Sequence, residues 1–107
     1  MSLTKEAQES VQRLQMLEQN MQALNMQKQQ FQAQLFEIES ALKEVTTSPS
    51  TYKIVGGLML STEKKTLQEE LKSKKELLEL RLQTIEKQEK QLKDKAKKLQ
   101  EEVLSSV

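Results

Sequence analysis

The sequence predicts an all-α-dominated chain, in which two long helices form an antiparallel coiled coil joined by one central β-hairpin that assembles with other subunits. Three observations predict this fold. Apolar residues recur with heptad spacing on both sides of the centre, the only two glycines stand together at Gly56 and Gly57, and the only proline, Pro49, precedes them. At 107 residues the chain has room for one domain, residues 1–107. We expect a helix over about 3–47, the hairpin over about 51–61 and a second helix over about 62–105.

The composition agrees with long helices. The chain is 36% hydrophobic, only 3% aromatic and 31% charged, which leaves little bulk for a compact core and favours a coiled coil. Glu, Lys, Gln and Leu, all strong helix formers, are abundant. Intrinsic disorder is the competing interpretation, and the regular leucine spacing argues against it.

The first helix carries an apolar seam with alternating spacings of four and three residues, the pattern of a coiled coil. Its positions are Leu3, Ala7, Ser10, Leu14, Leu17, Met21, Leu24, Lys28, Phe31, Leu35, Ile38, Leu42 and Val45. Ser2 or Thr4 is the candidate N-cap, and Pro49 ends the helix because proline cannot continue its hydrogen-bond ladder. Glutamine dominates the exposed positions from Gln8 to Gln34. Since the heptads continue through this stretch, we interpret it as an uncharged solvated face rather than a prion-like segment.

The central stretch reads as a hairpin. Two short runs rich in β-forming residues flank Gly56 and Gly57, which can adopt the positive φ angles of a tight turn. An isolated two-stranded hairpin is only marginally stable in water, and one this apolar would be prone to aggregate. We therefore predict that other chains complete it. The candidate assembly residues are Tyr52, Ile54, Val55, Gly56, Gly57, Leu58, Met59 and Leu60.

The predicted seam of the second helix is more polar than that of the first. Ser61 and Thr62 are N-cap candidates, and Glu63 is expected in the first turn. One row of the seam is fully apolar and consists of Leu71, Leu78, Ile85, Leu92 and Leu99. The second row contains both apolar and polar residues, namely Lys75, Leu82, Glu89, Ala96 and Val103. Leu67, Leu77 and Leu80 are expected to widen the stripe near the hairpin. If the arms fold back on one another, facing residue numbers should total about 108, which sets Leu14 near Ala96.

Several kinds of chemistry are absent from the sequence. There is no His and no Cys, so we expect no catalytic residues, no metal site, no cofactor and no enzyme activity. The net charge of +1 provides no field for nucleic acid or anionic membrane. The basic cluster Lys87–Lys98 is diluted by acidic residues and contains no aromatic residue for base stacking. With no membrane span or signal peptide in the sequence, we expect a soluble cytoplasmic protein.

The two chain ends carry more apolar residues than one narrow seam requires. They are Leu3, Ala7, Val11, Leu14, Met16, Leu17, Leu99, Val103, Leu104 and Val107. We call this set the terminal cluster. These residues either close the seam where the helix termini fray, or they form a contact surface for partners.

Together these parts resemble the beta-type subunits of the prefoldin family, in the short form typical of archaea. The resemblance rests on the hairpin sequence Tyr-Lys-Ile-Val-Gly-Gly-Leu-Met-Leu at 52–60, the helix opening Ser-Thr-Glu-Lys at 61–64, and the run Leu-Leu-Glu-Leu-Arg-Leu at 77–82. It covers nearly the whole chain. The single hairpin matches the beta class rather than the alpha class.

The resemblance implies an ATP-independent co-chaperone, a holdase. In that family the hairpins of two alpha and four beta subunits form a β-barrel platform carrying six coiled coils. Their tips hold unfolded protein for delivery to a group II chaperonin. By position, the hairpin residues would build the platform and the terminal cluster, from Leu3, Ala7, Val11, Leu14, Met16 and Leu17 to Leu99, Val103 and Leu104, would bind substrate.

Two other functions stay open. The chain could be a structural coiled coil, a rod or tether whose hairpin only reverses its direction. A helical arm that binds nucleic acid through Lys87–Lys98 is the weaker alternative.

Overall fold

The computed structural model describes residues 4–105 and contains four elements. They are helix α1 (Lys5–Thr47), strand β1 (Thr51–Val55), strand β2 (Leu58–Thr62) and helix α2 (Lys64–Ser105). The two strands pair antiparallel. This arrangement confirms the predicted fold class of two long helices and one central hairpin.

The chain divides into two compact units. The helical unit contains residues 4–29 and 83–105, and the hairpin unit contains residues 30–82. Each unit therefore holds one segment of α1 and one segment of α2.

In the helical unit, the predicted seam positions of both helices are buried or half-buried. Ala7 and Ile85 are the most enclosed apolar residues of this unit. Helix α1 is capped as the sequence predicted for Thr4, because the backbone N–H of Ala7 donates to Thr4 Oγ1 at 3.1 Å.

In the hairpin unit, the seam continues through the buried residues Val45 and Leu78. Polar contacts flank it. The guanidinium of Arg81 lies 5.7 Å from the centre of the Phe31 ring, within cation–π range. The ammonium of Lys75 lies 3.9 Å from a carboxylate oxygen of Glu39 on the other helix.

The hairpin turn uses both glycines as predicted. Gly56 has a φ of 56° and Gly57 a φ of 78°, both in the region that a type I′ turn requires. Five cross-strand pairs run from Thr51 with Thr62 to Val55 with Leu58. At the base, the buried hydroxyl of Thr51 donates to the carbonyl oxygen of Thr62 at 2.7 Å.

The start of α2 differs from the prediction. The helix begins at Lys64, not near residue 62, because Ser61 and Thr62 extend β2 opposite Tyr52 and Thr51. Neither of the predicted N-cap residues caps the helix. Glu63 stands directly before it, and its carbonyl oxygen accepts the N–H of Leu67 at 3.0 Å.

The alignment of the two helices also differs from the prediction, in which the numbers of two facing residues add up to about 108. That register would set Phe31 opposite Leu77, yet Phe31 lies beneath Arg81, one helical turn further along α2. The pairing of Thr51 with Thr62 explains the shift. It fixes which residues face each other where the two helices leave the hairpin.

Candidate functional site

The hairpin exposes large apolar side chains on both of its faces. Side chains alternate along a strand, so the cross-strand pair Ile54–Met59 projects from one face and the pair Val55–Leu58 from the other. Six large apolar side chains of the hairpin are between 49% and 72% exposed: Tyr52, Ile54, Val55, Leu58, Met59 and Leu60. We call them the hairpin surface.

The hairpin also has two free edges. Among the described residues the sheet contains only β1 and β2, so one side of each strand has backbone N–H and C=O groups unpaired by a neighbouring strand. Such edges are templates for further strands. The hairpin therefore combines backbone pairing capacity with apolar faces.

An ion pair attaches the hairpin to α2. The ammonium of Lys53 in β1 donates to Glu70 Oε2 at 3.0 Å. Both side chains are roughly two-fifths exposed, so the pair adds little stability.

The terminal cluster is divided by the structure. Ala7 is only 1% exposed and belongs to the seam. A second group is half-buried between the helices: Val11, Leu14, Leu17, Leu99 and Val103. Met16 is 64% exposed and Leu104 is 75% exposed. Leu3 and Val107 lie outside the described residues.

Other apolar residues are also exposed, although the sequence did not predict them as parts of a binding site. Met26 and Phe36 are both well exposed, and both occupy heptad positions away from the seam. Leu77 and Leu80 are also exposed, so they widen the apolar stripe without joining its buried part, whereas Leu67 is half-buried. A stricter heptad assignment places Leu77 and Leu80 on the outer side of α2, and this signal was available in the sequence.

The helical unit contains two grooves of opposite character. The charged groove, of about 270 Å³, is lined entirely by ionic residues: Lys28, Glu86, Glu89, Lys90 and Lys93. Lys28 and Glu89 form an ion pair there, with Nζ 3.2 Å from Oε1. That buried oxygen has no hydrogen-bond partner among the described residues, so the contact is ionic without hydrogen-bond geometry.

The second groove, of about 380 Å³, is almost free of charge. It is lined by Asn20, Ala23, Leu24, Gln27, Gln88, Gln91, Leu92 and Lys95. We call it the amide groove because side-chain amides supply four of its eight lining residues. No pattern in the sequence predicted it, since the glutamines were interpreted as a plain solvated face.

Two further findings concern other kinds of site. Within residues 4–105, no group of three or more His, Cys, Asp or Glu side chains is placed to hold a metal ion. Over the same residues, neither helix offers an apolar stretch long enough to cross a bilayer.

Comparison with known proteins yields concordant similarities. A family profile described as "Prefoldin subunit" matches residues 8–106. The chain is 41% identical over 108 residues to the "Prefoldin subunit beta" of Methanothrix thermoacetophila, covering 98% of this chain and 90% of that protein. It is 38% identical to the protein of the same name from Sulfurisphaera tokodaii, covering 92% and 81%. The crystal structure of the prefoldin beta subunit from Thermococcus strain KS-1 matches with a TM-score of 0.91 and 36% identity, covering 97% and 94%.

Proposed function

The chain belongs to the prefoldin subunit family, and from this premise we propose that it is a beta-type subunit of a cytoplasmic, ATP-independent co-chaperone. In this proposal residues 1–107 act as one domain. The chain uses no cofactor and has no enzymatic activity. The observation that carries the proposal is the hairpin surface, which is apolar on both faces and exposed.

The hairpin surface supports assembly with other prefoldin subunits. Burying one large apolar side chain is worth about 1.5–3 kcal/mol, and six such side chains are exposed here. The free strand edges add backbone hydrogen bonds to that gain. We propose a hetero-hexamer in which an alpha-type subunit supplies the partner strands, with two alpha and four beta chains per complex.

The terminal cluster supports binding of unfolded protein. Met16 and Leu104 expose flexible apolar side chains, and the half-buried Val11, Leu14 and Val103 supply apolar surface beside them. Unfolded chains present dispersed apolar segments, so a shaped pocket is unnecessary. Several weak contacts on one complex gain affinity through effective concentration. Release then follows from handover to a group II chaperonin, which requires no nucleotide on this chain.

Assembly is tested through Ile54 and Met59. Replacing both with Ser removes the central apolar pair of one face, where Tyr52 remains, and changes neither the turn nor the helices. We expect the variant to lose the hetero-oligomer that wild type forms with an alpha-type subunit, measured by size-exclusion chromatography with light scattering. Met26→Ser is the control, because Met26 is similarly exposed but lies outside the hairpin. A variant that assembles like wild type would refute the hairpin as the assembly element.

Substrate binding is tested through Met16 and Leu104. The double variant Met16→Ser/Leu104→Ser should suppress aggregation of a chemically denatured protein several-fold less than wild type, measured by light scattering without ATP. Met26→Ser is again the control, since Met16 and Met26 lie on the same helix and are both 64% exposed. Equal loss in the control would show that any exposed methionine matters, which contradicts a specific role for the terminal cluster.

One observation favours a second candidate, a structural coiled coil that tethers without binding substrate. Ala7 is buried, and five of the eight described residues of the terminal cluster are half-buried, as ordinary closure of a seam would produce. This candidate predicts that wild type itself fails to suppress aggregation. The same light-scattering assay therefore separates the two functions.

A further inference from the structure

The amide groove has an apolar floor. Its apolar lining residues are Ala23 and Leu24 on α1 and Leu92 on α2, of which Ala23 is exposed. Leu24 and Leu92 are seam residues that remain half-buried rather than fully enclosed. The groove therefore leaves apolar surface accessible between the helices, with a volume of about 380 Å³ that accommodates an aliphatic side chain and the backbone on either side of it.

The walls of the groove are uncharged but strongly hydrogen-bonding. Asn20 and Gln27 come from α1, and Gln88 and Gln91 come from α2. Each side-chain amide offers two N–H donors and one carbonyl acceptor. A polypeptide backbone likewise offers one N–H donor and one carbonyl acceptor at each non-proline residue. These walls are thus complementary to a peptide backbone, whatever its side chains.

The absence of charge from the walls is notable for this chain. Charged residues make up 31% of the sequence, yet seven of the eight lining residues are neutral. In heptad terms, Gln27 and Gln88 occupy g positions, whereas Glu86 and Lys93 of the charged groove occupy e positions, which flank the seam on the other side. The two grooves therefore flank the seam on opposite sides, with ionic residues lining one and side-chain amides lining half of the other.

From these features we propose that the amide groove binds an extended segment of non-native polypeptide, with one aliphatic side chain on the floor and backbone amides against the glutamine walls. This inference rests on the proposed holdase function and adds a second contact region for the same substrate. Neutral walls suit a neutral backbone, since fixed charges would select for or against charged side chains. Lys95, at one end, is the single charged lining residue.

The groove lies next to the terminal cluster along both helices. Asn20 follows Leu17 by three residues on α1, and Lys95 precedes Leu99 by four on α2, so about one helical turn separates groove and cluster on each helix. A non-native polypeptide bound at the terminal cluster could therefore extend directly into the amide groove. Two linked contacts on one segment reinforce each other through effective concentration.

The occupant is probed with a neutral, unstructured peptide of Gly, Ser and photoreactive leucine, cross-linked to the full-length protein and mapped by mass spectrometry. We expect adducts within residues 20–27 and 88–95. A second peptide carries the same side chains on an N-methylated backbone, which removes its N–H donors. Its yield in these ranges should fall by about fivefold for each hydrogen bond lost. No adducts in these ranges, or equal yields from both peptides, would overturn the proposal.

Two variants test the walls themselves. Gln27→Leu/Gln91→Leu replaces two amides by apolar groups, so the proposal expects a several-fold lower yield, whereas purely apolar binding would raise it. Gln22→Leu/Gln100→Leu is the matched control, since both residues are exposed and neither lines the groove. An unchanged or higher yield in the wall variant refutes the role of the amides.

Failure of this inference is distinguishable from failure of the holdase function. If wild type suppresses aggregation but no adducts map to the groove, only the groove proposal falls. If wild type shows no suppression, the holdase function itself falls.

Discussion

The ammonium of Lys28 lies 3.2 Å from Glu89 Oε1, so the main polar interruptions of the two helical seams face each other. Each would be unfavourable alone, because a half-buried charge without a partner keeps its desolvation cost. As a pair they are compatible with a continuous coiled coil. A polar residue at an a position is a known way to favour one alignment of helices over others.

We predict that reversing one charge destabilises the chain and reversing both restores it. Lys28→Glu places two carboxylates side by side and should lower the free energy of unfolding by about 1–3 kcal/mol. Lys28→Glu/Glu89→Lys should recover most of that loss. A double-mutant cycle from urea denaturation measures the coupling. If the double variant shows merely the sum of the two single losses, the ion pair is not a coupled unit.

The two glycines of the turn should tolerate different substitutions. Nothing lies within 4 Å of the position a side chain would occupy at either residue, so any effect comes from the backbone. Gly57→Ala must hold a φ of 78° and should cost about 1–2 kcal/mol. Gly56→Asn should be nearly neutral, because Asn followed by Gly is favoured in type I′ turns. Denaturant midpoints measured by circular dichroism test both, and equal losses would contradict the type I′ assignment.

Lys64 and Lys65 should have opposite effects on stability although they are neighbours. The ammonium of Lys64 donates to the carbonyl oxygen of Thr46 at 2.6 Å, at the end of α1, whose last turn has no basic residue. Lys64→Gln should therefore lower the free energy of unfolding by about 0.3–1 kcal/mol. Lys65 also lies in the first turn of α2, where the helix dipole disfavours a cation, so Lys65→Gln should raise it by a few tenths, roughly 0.3 kcal/mol. Urea denaturation at low ionic strength provides the measurement, and effects of the same sign would refute the cap.

Leu78 and Leu80 provide a test of the seam within one helical turn. Leu78 is 5% exposed and Leu80 is 60% exposed. Leu78→Ala should cost about 2–4 kcal/mol through lost burial and the cavity it leaves. Leu80→Ala should change stability by no more than about 0.5 kcal/mol. Comparable losses would mean that the outer side of α2 is also packed.

The sequence was sufficient for the architecture because heptad spacing reports directly on which side chains are buried. The predicted seam rows coincide with the buried and half-buried residues of both helices, and the paired glycines have the expected positive φ angles. These features depend on local period and backbone geometry, both of which can be deduced from residue types alone.

The helix register and the grooves could not be predicted in the same way. Register depends on which residues pair at the base of the hairpin, and folding the two arms back on one another without that information sets the facing residues about one helical turn from those observed. The Lys28–Glu89 ion pair could not be predicted for the same reason, because a total of about 108 does not set these two residues opposite each other. The amide groove required knowing which glutamines of α1 face which glutamines of α2, and this information lies in the pairing of helices rather than in either helix alone.

The open space around the glycine turn makes the hairpin adjustable in length. Inserting two residues on each side of Gly56 and Gly57 would add two cross-strand pairs, which keeps the alternation of hydrogen-bonded and non-hydrogen-bonded pairs, and would move the turn outward by about 7 Å. The five existing pairs, from Thr51–Thr62 to Val55–Leu58, would keep their partners, so neither helix would need to change. Strand length is thus an adjustable dimension of this chain, and small-angle scattering of the proposed hetero-oligomer would measure the change in its width.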